Sequence, residues 1–192
     1  MTNNETKKSR APVQIGLISA MFGLPLILAA WMYYGGQLTP TSASNNGDLL
    51  QPIVSLVDEL PNSPLHKSAP DQWLMLYVNE ADCTDECVDA LHRQRQSRLM
   101  LGNDMSRVAR IFLHGDTAPD TVFLEGQHAG LITISDKDLA ALLERKRPAD
   151  SQANGCYLID PLGNLVMYFS PELNPRAMVD DIEHLLNLSH IG

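Results

Sequence analysis

The sequence predicts an α/β sandwich behind a single N-terminal transmembrane helix. Three observations lead there. An uncharged, apolar run follows a short basic N-terminus. Strand signals and helix signals then alternate from Trp73 onward. A turn-rich hairpin and a capped helix close the chain.

The anchor comes first. Lys7, Lys8 and Arg10 precede a stretch without charge that runs from Ala11 to Gly47. Within it, Ile15 to Tyr34 is apolar apart from Gly, Ser and Pro. That length suffices for a hydrocarbon core of about 30 Å at about 1.5 Å per residue. Pro25 falls in the middle, which lipid-spanning helices tolerate. Trp31, Tyr33 and Tyr34 gather at the far end, where an aromatic belt belongs. The bases lie before the run, so the positive-inside rule puts residues 1–12 in the cytoplasm and the chain beyond the helix, 13–35, outside. A cleaved leader is the competing reading. Its apolar core is normally about 7–15 residues, shorter than this one, and the small residues Thr41-Ser42-Ala43 lie well past the apolar end.

Residues 36–47 read as a flexible linker, since Gln37 to Gly47 is polar and rich in Pro, Ser and Asn. Residues 48–192 are enough for one core. The net charge is −9, and the first ten residues hold three bases against one acid, so the outer domain is strongly acidic. That balance argues against nucleic acid and against an anionic membrane face as partners.

Leu49 to Val57 fits a leading strand or a short helix equally well. Trp73 to Asn79 is an almost unbroken apolar run and reads as a strand covered on both faces. Glu86 to about Leu101 lacks Pro and Gly and reads as a helix, closed by Gly102-Asn103. Arg107 to His114 is a second strand and Leu131 to Ile134 a short third. Ser135 is placed to cap a helix over 136–146, with acid in its first turn and bases in its last. Cys156 to Asp160 and Leu165 to Phe169 form a hairpin turned by Asp160-Pro161-Leu162-Gly163-Asn164. Asn174 caps a last helix with Pro175 at its first position, ending near Leu188. Strand, helix, strand, helix, hairpin, helix is the order of a thioredoxin-like sandwich.

The candidate site is the pair Cys83 and Cys87, which follows the first buried strand in the string W-L-M-L-Y-V-N-E-A-D-C-T-D-E-C. Two sulfurs at this spacing can close a disulfide, work as a redox couple, or grip a soft metal ion. A bridge requires Cys83 to lie in the loop ahead of the helix, because neighbouring helical turns hold Cβ atoms too far apart. Glu80, Asp82, Asp85, Glu86 and Asp89 flank the pair without a Lys or Arg among them. Carboxylates oppose a thiolate nucleophile and favour capture of a cation. In an oxidising compartment an inert bridge is as good a reading as a metal or redox role. Cys156 opens a strand and reads as a small buried residue, with a third thiol at the site as the alternative. None of the six histidines has a ligand spacing; His114, at a strand end, is the best placed substitute ligand. The basic run Arg93, Arg95, Arg98 is expected to face water or an acidic partner.

The anchor, the C-x-D-x-C loop of Cys83, Asp85 and Cys87, and the late string Tyr157, Leu158, Ile159, Asp160, Pro161 and Gly163 together resemble the SCO/SenC proteins. The likeness runs over roughly residues 72–188 and is nearest to small membrane-anchored members associated with bacterial cytochrome oxidase. It implies a thioredoxin fold, copper as cofactor, and a place on the periplasmic side of the bacterial inner membrane. The implied partners are a cytochrome c oxidase subunit or a copper chaperone, with the membrane reached through Ile15–Tyr34. The family binds copper through both cysteines, here Cys83 and Cys87, and a histidine five residues ahead of the Tyr. That position is Gln152 in this chain. Cu(I) accepts two thiolates alone, whereas Cu(II) favours an added imidazole. Disulfide oxidoreductases of this fold carry a cis-proline just before the strand that Cys156 opens, and this chain has Gly155 there.

Three functions follow from these readings. The first is an anchored SCO-like assembly factor for cytochrome c oxidase, carrying copper or acting as a thiol reductant for a copper site. The second is a non-catalytic docking protein of the oxidase with a structural disulfide. The third is an anchored thiol–disulfide oxidoreductase.

Overall fold

Burying a seven-residue strand on both faces demands helices on both sides of one sheet, and that requirement organises the domain. The computed structural model describes residues 11–34, 45–117 and 120–189. The expected cytoplasmic segment up to residue 10, the linker up to residue 44, and His190 lie outside the described residues. Two units emerge, Met1–Ala43 and Ser44–Gly192.

The first unit contains helix α1, Ala11–Tyr34, 24 residues with Pro25 inside and no charged residue at either end. Its side chains are described over 19–32, where Met21, Phe22, Leu24, Ile27 and Trp31 are exposed. Among the described residues no helix is long and apolar enough to cross a membrane. The described side chains of α1 fall short of the about 17–25 residues that a span needs.

The second unit opens with β1, Asp48–Ser55, and α2, Leu56–Glu59. The ambiguous segment is thus both elements in turn: Ser55 ends the strand and its hydroxyl accepts the Asp58 N–H at 3.3 Å. Then come α3 (Leu65–Ser68), β2 (Trp73–Asn79), α4 (Asp85–Met100) and a 3-10 segment, Gly102–Arg107. β3 (Val108–His114), α5 (Thr121–Gln127), β4 (Leu131–Ile134) and α6 (Lys137–Lys146) follow. β5 (Cys156–Ile159), β6 (Asn164–Phe169) and α7 (Pro175–Leu188) complete the chain.

The six strands form one mixed sheet in the order β1-β6-β5-β2-β3-β4. β2 runs parallel to β3, from Trp73↔Val108 to Asn79↔His114, and antiparallel to β5, with Tyr77 opposite Cys156. One face packs Leu74, Leu76, Ile111 and Leu113 against Leu56, Leu65, Leu139 and Leu143. The other packs Trp73, Met75, Leu158 and Phe169 against Val179 and Ile182 of α7, then Tyr77 and Phe112 against Cys87 and Leu91 of α4.

The sequence places most of these elements; the differences are local. Asp136, not Ser135, caps α6: its carboxylate accepts the Leu139 N–H at 3.1 Å and the Ser63 hydroxyl at 2.6 Å. Asp and Ser are equally good caps, and the partner from Ser63 decides. Ser135 instead donates its hydroxyl to the Gly115 carbonyl at 3.3 Å. The short α3 and α5 are not predicted by the sequence, and α2 only as one of two readings. Each has seven residues or fewer, too short to show a period. The hairpin turns as its residues require. The Asp160 carboxylate accepts from Leu162 N, Asn164 N and Asn164 Nδ2, and Gly163 takes φ +84°. Asn174 caps α7 through Arg176 N at 2.8 Å.

One buried carboxylate closes the domain. Asp181 on α7 accepts from the backbone N–H groups of Asn46 and Gly47, both at 2.8 Å, and from Asn46 Nδ2 at 3.0 Å. This ties the entry of the domain to its last helix, beneath β1. Removing the carboxylate strands buried donors, each worth on the order of 1–3 kcal/mol. Asp181→Ala is therefore expected to lower stability by about 3 kcal/mol in denaturant unfolding, and Asp181→Asn by less.

Candidate functional site

Loops at one end of the central strands carry the candidate residues. β2 ends at Asn79, whose side-chain oxygen accepts the Ala81 N–H at 3.1 Å and so turns the chain out of the sheet. Cys83 then lies in the loop, Thr84 is the N-cap of α4 in extended conformation, and Cys87 falls in the first helical turn. That placement is the one a bridge requires, and the two cysteines are joined, with Cα atoms 5.1 Å apart. Cys87 is 1 % exposed and packs with Tyr77, Leu91 and Phe112. Cys83 is exposed.

The bridge divides two hollows. Cys87 borders an open cleft of about 780 Å3, lined also by Tyr77, Asp82, Glu86, Asp89, Arg93, Gln152 and Glu172. Cys83 borders a second hollow of about 530 Å3 with Phe112, His114, Asp120 and Phe123. The structure thus brings Gln152 to the cleft beside Cys87 and His114 to the hollow beside Cys83. His114 is half-buried, and its Nδ1 lies 2.8 Å from the Gly115 carbonyl. Gly115 is forced to remain small there, since a Cβ would meet the Glu80 backbone carbonyl.

Three sequence readings meet the structure here, and the first of them changes. Arg93 lines the cleft, so a cation does stand among the carboxylates. Its basic neighbours turn elsewhere: Arg98 donates from Nε to the Val108 carbonyl at 2.6 Å, and Arg95 stays exposed. The signal for Arg93 was its place, seven residues past Glu86 and four past Asp89, hence on their face of α4. Second, Gly155 stands ahead of Cys156, where a Cβ would meet the Tyr168 hydroxyl and the Phe169 carbonyl. Among the described residues the cis peptide is Gln51–Pro52, at the far edge strand. Third, Cys156 is free and buried, and burial pushes its thiol up to about 12. It is therefore a packed, protonated side chain, as its strand position suggests.

Two features govern the chemistry of the pair. The N-terminus of α4 favours negative charge at Cys83 and Cys87. Asp82, Asp85, Glu86 and Asp89 oppose it, but all are exposed and screened by water. As metal ligands the residues offer little beyond the two sulfurs. Among the described residues no group of three His, Cys, Asp or Glu side chains is arranged to hold a metal ion. Reduced, the pair supplies two thiolates, which fits Cu(I) and leaves Cu(II) without an imidazole.

A mixed sheet with helices on both faces and a cysteine pair at the start of the helix after β2 defines a thioredoxin-like protein. The chain belongs to the family described as transmembrane-like, thioredoxin-like, C-terminal domain, whose profile matches residues 73–189. No curated protein sequence matches it. Among solved structures, yeast Sco1 superposes with a TM-score of 0.52 at 18% identity, over 65% of this chain and 85% of that one. Apo Sco1 from Thermus thermophilus gives 0.51 at 17%, over 73% and 92%. Copper-bound ScoI from Arabidopsis thaliana gives 0.51 at 17%, over 65% and 89%. At such identities the likeness establishes the fold, that of the SCO/SenC proteins.

The burial of the three cysteines predicts their reactivity. After reduction of the folded protein, iodoacetamide at pH 8 should label Cys83 first and Cys87 at least about tenfold more slowly. Cys156, with roughly one thiolate in ten thousand at that pH, should label only in denaturant. Mass spectrometry of timed digests reads all three.

Proposed function

We propose that this chain is a membrane-anchored, SCO-like assembly factor for cytochrome c oxidase that works through the Cys83–Cys87 couple as a thiol reductant. The observation that carries this reading is the asymmetry of the bridge. One sulfur is exposed beside the second hollow, the other is buried at the edge of the cleft, and among the described residues no group of three His, Cys, Asp or Glu side chains is arranged to hold a metal ion. The reduced pair delivers two electrons. The Cys83 thiolate attacks a disulfide in the client protein and forms a mixed disulfide, releasing one client thiol. The Cys87 thiolate then attacks Cys83 sulfur, releases the second client thiol and closes the bridge. A dithiol reductant resets the pair. Arg93 and the α4 N-terminus favour the thiolate form; the exposed acids keep the effect modest.

Copper carriage is the second reading, favoured by the ring of carboxylates and by copper-bound structures of the same fold. In it the reduced pair carries one Cu(I) as cargo between its two sulfurs. The absence of a third ligand among the described residues argues against stable Cu(II). A docking protein with an inert bridge remains the opposing class, since it needs no exposed sulfur.

The proposed setting is the bacterial inner membrane, with α1 as a single-pass anchor and the domain in the periplasm. The support is the basic residues ahead of an uncharged helix of 24 residues, about 36 Å long. A periplasm-active reporter fused after Gly47 should be active and stay with the membrane. Activity only in the cytoplasm, or a shortened soluble product, would remove the anchor.

The thiol reading is tested on the full chain in detergent. The reduced protein should reduce a cysteine-pair peptide disulfide stoichiometrically, and Cys83→Ser should abolish this. A Cu(I) titration should saturate at one ion per chain, and Gln152→His should add Cu(II) binding with thiolate-to-copper charge-transfer absorption. No disulfide reduction, together with no Cu(I) uptake, would leave the docking protein in first place.

A further inference from the structure

Behind the wall of the second hollow the domain buries positive charge without a counter-ion. Arg110, on β3, is 3 % exposed, and His128, just after α5, is 1 % exposed. Arg110 Nη2 donates to the carbonyls of His128 at 3.4 Å and Ala129 at 2.9 Å, which closes the α5–β4 loop onto the sheet. Its Nη1 has no partner among the described residues, and neither has either ring nitrogen of His128. The His128 ring is held between Phe123, with centroids 4.9 Å apart, and His92 of α4, at 5.0 Å. Arg95, one turn beyond His92 on α4, is exposed and acts on the cluster only through its charge.

Among the described residues no acid acts on these groups. The charges acting on Arg110 are Arg98 and Arg95, and burial with these lowers it to about 10, so it stays a cation at neutral pH. Those acting on His128 are His92, Arg110 and Arg95, and burial with them lowers it to about 4. A buried guanidinium with an orphaned N–H is costly where nothing compensates it. The cost is avoided if an anion accepts from it, and a neutral imidazole beside it has an N–H to offer the same acceptor.

We infer that the unpartnered Arg110 Nη1 and His128 ring nitrogens form a binding site for a small inorganic anion of halide size. The near-complete burial of both side chains sets the size, since an oxyanion such as phosphate would need several more donors and more room. The site is independent of the redox pair but borders it, because Phe123 packs on His128 and also lines the hollow beside Cys83. An ion there fixes the α5–β4 loop on β3 and so holds one wall of that hollow.

The test uses the full chain in neutral detergent, with bromide as the probe. Thermal unfolding in sodium bromide is compared with sodium gluconate at equal ionic strength. The midpoint should be about 5 °C higher in bromide, as expected for an ion that binds only the folded state. His128→Phe keeps an aromatic ring between Phe123 and His92 and should abolish the difference. Because that variant could be poorly folded, bromide-soaked crystals of the wild type provide the second readout. An anomalous peak in hydrogen-bond contact with Arg110 Nη1 is expected. An ordered water there without anomalous signal, equal midpoints in the two salts, or a bromide effect that survives in His128→Phe would each overturn the site.

Discussion

The double-sided burial of β2 is the constraint on which the rest of the structure depends. Six of its seven residues are buried, so both faces of the sheet must be covered. Its parallel pairing with β3 requires a crossover, and α4 is that crossover. A crossover helix has to start where the first strand ends. The cysteine pair lies at that strand-to-helix junction, where a loop meets a helix N-terminus at the end of the sheet. His114, at the end of the adjacent parallel strand, arrives at the same end by register, opposite Asn79. Gln152 arrives from the loop ahead of β5, which runs antiparallel and so begins where β2 ends.

This explains what was legible in the sequence and what was not. The run Trp73–Asn79 shows no alternation, which marks a strand buried on both faces, and the structure has it so. The pair Asn174-Pro175 and the turn Asp160–Asn164 are local chemistry, and local chemistry survives folding unchanged. Cys156 was readable for the same reason, as a small apolar residue at a strand start. Ser135 misled because a cap is chosen by geometry among near-equal candidates, and Ser63, 73 residues away, tips the choice to Asp136. The short α5 left no periodic trace, and with it the burial of His128 was hidden. A histidine flanked by Gln127, Ala129 and Gly130 reads as a loop residue. Its burial is a tertiary fact, set by Phe123, His92 and Arg110 from three different elements.

The charge around the pair illustrates the same limit. In sequence the five nearby acids dominate, because proximity along the chain is all that can be counted. In space Arg93 joins them from nearly two turns along α4, and the acids point to water where screening weakens them. Helix N-terminus and cation oppose the carboxylates, and burial is the plain difference between the two sulfurs. Cys87 is sealed by Tyr77, Leu91 and Phe112, and Cys83 is open. In the proposed exchange, attack from outside comes at Cys83 and the resolving attack from Cys87, an order that follows from packing.

Fold and ligand set separate cleanly in this chain. The hydrophobic faces, the crossover and the hairpin that define the SCO-like architecture are set by residues such as Met75, Ile111, Leu158 and Leu165, none of which touches a ligand. Substituting the residue at position 152 costs the fold almost nothing, because that side chain is exposed on a loop. A scaffold of this kind can lose an imidazole and keep its two sulfurs without any rearrangement. What changes is the chemistry that the sulfurs support: two thiolates without a nitrogen partner hold Cu(I) or exchange electrons as a dithiol, and they bind Cu(II) poorly. The fold thus sets the position of the pair, and in the proposed copper reading the exposed side chain at position 152 decides whether a nitrogen ligand joins it.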